Sequence, residues 1–272
     1  EHISMTRECV EAVLSYTVYE NYEVLLVDNW STSDEALSFA AEMRLLPSVD
    51  VLRIPEGFNY SRLNNLAVDA STGEFLLFLN NDVFVNDPNW LREMVAEAMA
   101  DPLVAVVGAK LLYEDGRVQH AGVVLGVGGV ADHAHRGLAA DASGYQGRAL
   151  CAQEYSAVTA ACMLCRRDAF KAVGGFDEAN LWVAFNDVDL CLKIGAAGYR
   201  IVWTPSVVAV HRESYSRGSD LRPDQQVRFF DEHQHMVSKW RGVLEKDRHY
   251  HPWFSRKAGI FESLQAPDRR EP

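Results

Sequence analysis

Short apolar runs alternate with amphipathic stretches through residues 1–113, and each run stops at a polar residue. The stretch over 7–18 predicts a helix. "YEVLLVDN" (22–29) is a continuous apolar run, the mark of a parallel strand buried on both faces, and it ends at Asp28. "NWSTSDEALSFAAEMRLL" predicts a helix, with Thr32 and Glu35 at capping-box spacing. "DVLRIP" (50–55) predicts a second strand, and "SRLNNLAVDAST" sets Leu63, Leu66, Ala67 and Ala70 on one helical face. "EFLLFLNND" is the third strand. Asp87 and Pro88 predict the cap and first turn of the helix "NWLREMVAEAMA", and "VAVVGAKLLY" (104–113) is the fourth strand. This order predicts an α/β protein with a Rossmann-like, mostly parallel, doubly wound sheet.

From 114 to 150 the sequence becomes rich in glycine and alanine and loses periodicity, so an irregular flap is expected. "AVTAACMLCRR" resumes the core as a strand, "NDVDLCLKIGAAGYR" predicts a helix ending in glycine, and "IVWTPSVVAVHRES" predicts a further strand. These segments define a main domain over 1–218. A helical extension is expected over 219–272, with Val227, Phe230, Val237, Trp240 and Leu244 as its apolar stripe.

Charge narrows the partners. The 272 residues carry 26 basic and 38 acidic side chains, a net charge of −12. That argues against nucleic acid and against electrostatic docking on anionic lipid, which both need basic patches. No stretch reaches the roughly 20 apolar residues of a spanning helix. "EHISMTREC" has neither the basic start nor the apolar core of a signal peptide. Five cysteines in apolar context fit reduced thiols, and the Cys162/Cys165 pair, lacking a second pair at zinc spacing, reads as core. The expected setting is cytoplasmic, with at most peripheral contact at the inner face of the cell membrane.

Candidate chemistry lies at the strand ends. In open parallel α/β sheets ligands bind beyond the carboxyl ends of the strands, and Asp28 and Asp82 each end a predicted strand. A carboxylate there suits Mg2+ or Mn2+, which binds through one or two carboxylates plus substrate phosphates. Asn80 and Asn81 add hydrogen-bonding groups without charge. The same triplet also favours a plain turn, and both readings stand. Asn186 and Asp189 have the spacing of an N-cap and its reciprocal partner, which leaves Asp187 without a structural role and makes it the candidate general base. A helix N-terminus favours its ionised form. His211 ends the apolar strand "SVVAVH" and can complete a metal shell, although a lone histidine is more commonly a surface residue. Trp182 and Phe185 suit an apolar sugar wall or the core equally. His120, His133 and His135 read most simply as turn and loop residues.

Taken in order, "NYEVLLVDNWST", "FNYSRLNNLAVDASTGEFLLFLNNDV", "GGFDE", "FNDVDLCLKIGAAGYRIVWTP" and "HRESYSRG" resemble the family 2 glycosyltransferases, which have the GT-A fold. "VQHAGVVLG", "AVTAACMLCRRDAF" and "FNDVDLC" resemble bacterial enzymes of O-antigen and related surface polysaccharides, including rhamnosyltransferase-like members. The resemblance implies a nucleotide-binding part over about 1–113, the flap over 114–150 and an acceptor part over 151–218. It implies Asp28, Arg62, Asn65, Asn80, Asn81 and Arg217 at the nucleotide, with Arg217 closing over the diphosphate. Asp82 and His211 would hold Mg2+ or Mn2+. Asp187 would be the base, and Gly174, Gly175, Phe176, Asp177, Trp182 and Asn186 would lie on the acceptor side. The donor would be a UDP-, dTDP- or GDP-linked sugar, the acceptor a glycan or lipid-linked glycan, and the stereochemistry inverting.

Three departures from the family pattern stand out. Asn80 replaces the first Asp of the D-x-D motif, and Asn186 replaces the Glu of the E-D pair. The family's first, central strand is unmatched, because "EHISMTRECVEAVL" resembles the residues just after it. Two other functions fit parts of the pattern: a nucleotidyltransferase, and a catalytically silent sugar-nucleotide or glycan-binding module. Asp187 separates enzyme from module, since only an enzyme needs it.

Overall fold

The computed structural model describes residues 3–212, 223–257 and 259–264. Helix α1 (Ile3–Tyr16) leads into β1 (Val24–Asp28), α2 (Asp34–Met43), β2 (Val49–Arg53) and α3 (Tyr60–Ala70). β3 (Phe75–Leu79), β4 (Val83–Val85), α4 (Trp90–Ala100) and β5 (Val104–Leu112) complete the first half. The middle holds four short strands, β6 (Val118–His120), β7 (Val123–Leu125), β8 (Ala131–His133) and β9 (Gln153–Glu154). β10 (Cys162–Arg166), α5 (Arg167–Ala172), α6 (Asn186–Ala196), β11 (Arg200–His211) and α7 (Pro223–Glu245) follow.

The central sheet runs β3-β10-β5-β11-β4, with β6 added on β5 and β9 on β11. β5 and β11 are parallel, and β10 is antiparallel to both β3 and β5, so β3, β5 and β11 share one direction. The α/β class and the common direction of β3, β5 and β11 are as expected, with β4, β6, β9 and β10 reversed. β5 is buried along nearly its whole length, because β10 and β11 flank it and α4 covers it. The last strand, β11, bulges between Thr204 and Val208 and continues to His211.

β1 and β2 form a separate parallel pair. Among the described residues neither β1 nor β3 has a strand partner on its second edge. The two remain neighbours at their starts, where the Glu23 carboxylate accepts from the backbone N–H and hydroxyl of Thr72.

Several local expectations are corrected. The first helix is α1, four residues earlier at its start than 7–18. Ser33, not Thr32, caps α2, its hydroxyl accepting from the Ala36 N–H. Asp87 accepts from the Asn89 N–H and so forms a turn before α4, which starts at Trp90 without a side-chain cap. The flap is less irregular than its composition suggests: Val118, Ala121, Val123, Val124 and Leu125 are all buried in the main core. Its glycines permit this. Gly122 sits at φ +93°, and a Cβ there would meet the Tyr155 ring at 2.4 Å. Lys110, buried under the flap, donates to the Ala140 and Ala149 carbonyls. Among the described residues of the extension only α7 is helical, and residues 246–257 and 259–264 run in turns and bends. Its buried face is Met236, Val237, Trp240 and Leu244, whereas Val227 and Phe230 are exposed.

Candidate active site

The pairing of β4 with β11 builds the centre. Val83 lies opposite His211 in the ladder, which brings the side chain of Asp82, just before β4, against the imidazole. Asp82 is 5% exposed, and His211 Nε2 lies 3.2 Å from its Oδ1. The turn expected at Asn80–Asp82 is also present, closed by the Val83 N–H donating to the Asn80 carbonyl, so turn and site coexist.

Gln119 fixes the chemistry of this pair. Its Oε1 lies 2.7 Å from His211 Nδ1, while its amide nitrogen faces the His211 carbonyl at 3.4 Å. The amide is thereby oriented with its oxygen toward the ring, and Nδ1 must carry the proton. Nε2, the nitrogen that Gln119 does not engage, then faces the buried Asp82 Oδ1. A carboxylate oxygen and an imidazole nitrogen turned toward each other form an ion pair when the ring is protonated and two ligands for a divalent cation when it is neutral, and an orienting partner on the second nitrogen is the usual support of a histidine ligand. Among the described residues no cluster of three or more His, Cys, Asp or Glu side chains is arranged as a metal site. Asp82 and His211 therefore suit an ion that takes its remaining ligands from phosphate and water, as Mg2+ does. Gln119 was missed in the sequence, where "VQHAGVVLG" offers no sign that it faces a strand far along the chain.

Asp28 ends β1 as expected. Its Oδ1 accepts from the Ser31 N–H at 2.9 Å, and Arg53 Nε lies 3.5 Å from Oδ2. Arg53 also covers the indole of Trp30 at 4.5 Å. Trp30 is 52% exposed and sits at φ +57°, a backbone conformation costly for a bulky residue. Asn81 reaches away, its amide donating to the Thr6 hydroxyl of α1.

Asp187 stands in the first turn of α6. It is not free of structural duty: Oδ1 accepts from the Val188 N–H at 2.8 Å, Oδ2 from the Ala160 N–H at 3.1 Å, and the Thr159 hydroxyl also bonds to it. Burial pushes its pKa above the ordinary carboxylate value, and these bonds offset that only in part. The helix N-terminus alone had pointed the other way. The predicted cap pair is also corrected. Phe185, at φ +60°, holds the cap position, Asn186 is buried with its amide donating to the Val183 carbonyl, and Asp189 accepts from Trp240 Nε1 at 2.7 Å and pairs with Lys239 at 2.8 Å.

Helix α7 thus locks the loop that carries the candidate base. Beyond the Asp189 anchor, Glu232 accepts from the Val183 and Ala184 N–H groups at 2.8 and 3.0 Å. Asp177 is held by His235 and Lys239 at 3.2 and 3.3 Å. Glu232 was not singled out in the sequence.

Arg62 and Asn65 of α3 are committed to the loop after α5. Arg62 pairs with Glu56 and Glu178, and Asn65 bonds Phe176 at both its N–H and its carbonyl and also donates to Glu178. Gly175 needs its φ of +67°, and a Cβ there would meet Asn65 Oδ1 at 2.7 Å. Phe176 is buried among Tyr60, Phe78 and Phe170, so it can shape the acceptor side only from beneath. Trp182 is half-exposed beside this loop. Arg217 lies outside the described residues.

Solved structures with this architecture define the fold as GT-A. One is the crystal structure of GalNAc-T7 with UDP, GalNAc and Mn2+, which superposes with a TM-score of 0.66 at 16% identity over 88% of this chain and 46% of that one. The mannosyltransferase PcManGT from Pyrobaculum calidifontis, in complex with GDP-Man and Mn2+, gives 0.61 at 19% identity over 92% and 63%. The profile of Glycosyl transferase family 2 matches residues 1–174, and the chain belongs to that family. It is 47% identical to the uncharacterized protein y4gI of Sinorhizobium fredii over 93% of its own length and 28% of that protein. It is 41% identical to the O-antigen biosynthesis protein RfbC of Myxococcus xanthus over 81% of its length and 17% of RfbC. The chain thus spans less than a third of these two relatives.

Proposed function

We propose that this family 2 glycosyltransferase moves a sugar from a nucleoside-diphosphate donor to a hydroxyl of a glycan acceptor, with inversion, in the assembly of a bacterial surface polysaccharide. The observation that carries the reading is the buried Asp82 oxygen facing His211 Nε2, with Gln119 orienting the ring from its other nitrogen. Mg2+ or Mn2+ held there would neutralise charge on the departing diphosphate. Mn2+ in the two solved relatives supports this choice of ion. Asp28 and Asn80 are the candidate nucleotide contacts at the strand ends, with Arg217 proposed to close on the diphosphate.

Asp187 accepts the proton of the attacking hydroxyl as the new C1–O bond forms. The bond from C1 to the phosphate oxygen breaks on the opposite face, and the nucleoside diphosphate leaves. Bonds from Ala160, Val188 and Thr159 hold the carboxylate in place, and its raised pKa strengthens it as a base. The identity to a protein of O-antigen biosynthesis supports a glycan as acceptor, free or lipid-linked. No helix among the described residues is long and apolar enough to cross a membrane; the setting we propose is the cytoplasm at the inner face of the cell membrane. Asp187→Asn tests the assignment: nucleotide binding should persist while sugar transfer falls by about 10²–10⁴-fold. Unchanged transfer would refute the role of Asp187, and a nucleotidyltransferase would instead incorporate label from a nucleoside triphosphate.

A further inference from the structure

A cavity of about 650 Å³ lies between the flap and the chain after α7, within the size range of small-ligand sites. Its walls combine aromatic faces with paired polar groups. Tyr145, 41% exposed, stacks on Phe261 at 5.6 Å with the rings within 1° of parallel, and the edge contact with Phe254 at 4.9 Å holds it there. Phe261 stacks in turn on His135 at 5.0 Å. His135 is 6% exposed and its Nε2 has no hydrogen-bond partner; burial and the nearby Arg148 and Lys110 push its pKa to about 4, so the ring is neutral. Asp132 and Arg136, paired at 2.7 Å, present a carboxylate and a guanidinium side by side.

The charge pattern decides what class of ligand fits. Arg136 is engaged with Asp132, and Arg256 donates to the Leu244 and Glu245 carbonyls. Lys257 and Glu262, one of each sign, also line the space. A polyphosphate would find no free cluster of cations here. A pyranose offers an apolar C–H face for a ring such as Tyr145 and adjacent hydroxyls for an Asp–Arg pair and a neutral imidazole. One chain of neighbours links the cavity to the centre already described. His133 on its wall meets His120 at 2.7 Å, and His120 adjoins Gln119, the partner of His211.

We propose that this cavity is a carbohydrate subsite that holds a neutral pyranose of the acceptor glycan, beyond the sugar whose hydroxyl attacks. Its role as an acceptor subsite rests on the glycosyltransferase reading, whereas its sugar binding does not. The test is saturation-transfer NMR on the whole chain with methyl glycosides of rhamnose, mannose, galactose, glucose and N-acetylglucosamine, with and without UDP or GDP and Mn2+. At least one glycoside should bind, and Tyr145→Ala and Arg136→Gln should each weaken it at least about tenfold, equivalent to about 1.4 kcal/mol. Nucleotide binding should stay unchanged in both variants. Circular dichroism checks their fold, and Glu262→Gln at the rim serves if either fails to fold. Glycoside binding that survives these substitutions, displacement of the glycoside by nucleotide, or no binding of any glycoside would overturn the subsite. Nucleotide binding without glycoside binding would leave the donor reading standing alone; the converse would leave only the subsite.

Discussion

The lock that α7 places on the base-carrying loop can be tested at Glu232. Its side chain is 2% exposed and accepts from two backbone N–H groups, those of Val183 and Ala184. A hydrogen bond to a charged group is worth about 1.5–3 kcal/mol net. Burial raises the Glu232 pKa, so part of that gain is offset, and Arg228 at 3.9 Å compensates weakly. The lower end for each of two bonds gives about 3 kcal/mol for Glu232→Ala. At about 2–4 °C per kcal/mol for a domain of this size, Tm should fall by about 6–12 °C. Glu232→Gln keeps one acceptor but turns an NH2 toward the second N–H, and should lose about half as much. The assay is thermal unfolding by circular dichroism alongside transfer kinetics. Loosening residues 183–186 should lower kcat while nucleotide affinity holds, because Asp187 follows directly. A Tm within about 2 °C of the parent for Glu232→Ala would refute the lock.

Three further outcomes follow from the same geometry. Gln119→Leu removes the acceptor that fixes the His211 tautomer, and should weaken Mn2+-dependent nucleotide binding by about 10–100-fold without touching metal-free binding; equal loss in both conditions would count against a metal role. The acidic limb of the kcat/KM profile should lie above the ordinary aspartate value of about 3.9, because Asp187 must be ionised to accept a proton and burial raises its pKa, so activity climbs as pH rises through it. An inflection at or below that value would contradict the assignment. At Trp30, φ +57° favours glycine over any other small residue, so Trp30→Gly should be more stable than Trp30→Ala by about 1 kcal/mol in denaturant unfolding, and the reverse order would show that no strain is stored there.

The long apolar runs were legible because burial on both faces leaves a strand few polar positions. "FLLFLNND" gave β3, its end and Asp82 together. Local caps were misjudged by small margins: Thr32 and Ser33 are both competent oxygens, and only the chain's path selects the second. The flap was misread because its ordered turns depend on glycines such as Gly122, whose positive φ leaves no periodic pattern. What stayed hidden were the long-range polar anchors. Glu232 on Val183, Trp240 on Asp189 and Gln119 on His211 join residues far apart in sequence, and nothing local at either end announces the partner. Asp187 was singled out for an incomplete reason, since it looked unemployed in the sequence and proves to be held by three groups.

The most direct test of the account is calorimetric titration of the chain with UDP, dTDP and GDP, each with and without Mn2+, repeated on Asp82→Ala. The account predicts that one nucleotide binds, that Mn2+ strengthens it at least about tenfold, or about 1.4 kcal/mol, and that Asp82→Ala abolishes the gain while leaving weak metal-free binding. Equal affinity with and without Mn2+ in both proteins, or no binding of any nucleotide with the metal present, would contradict it.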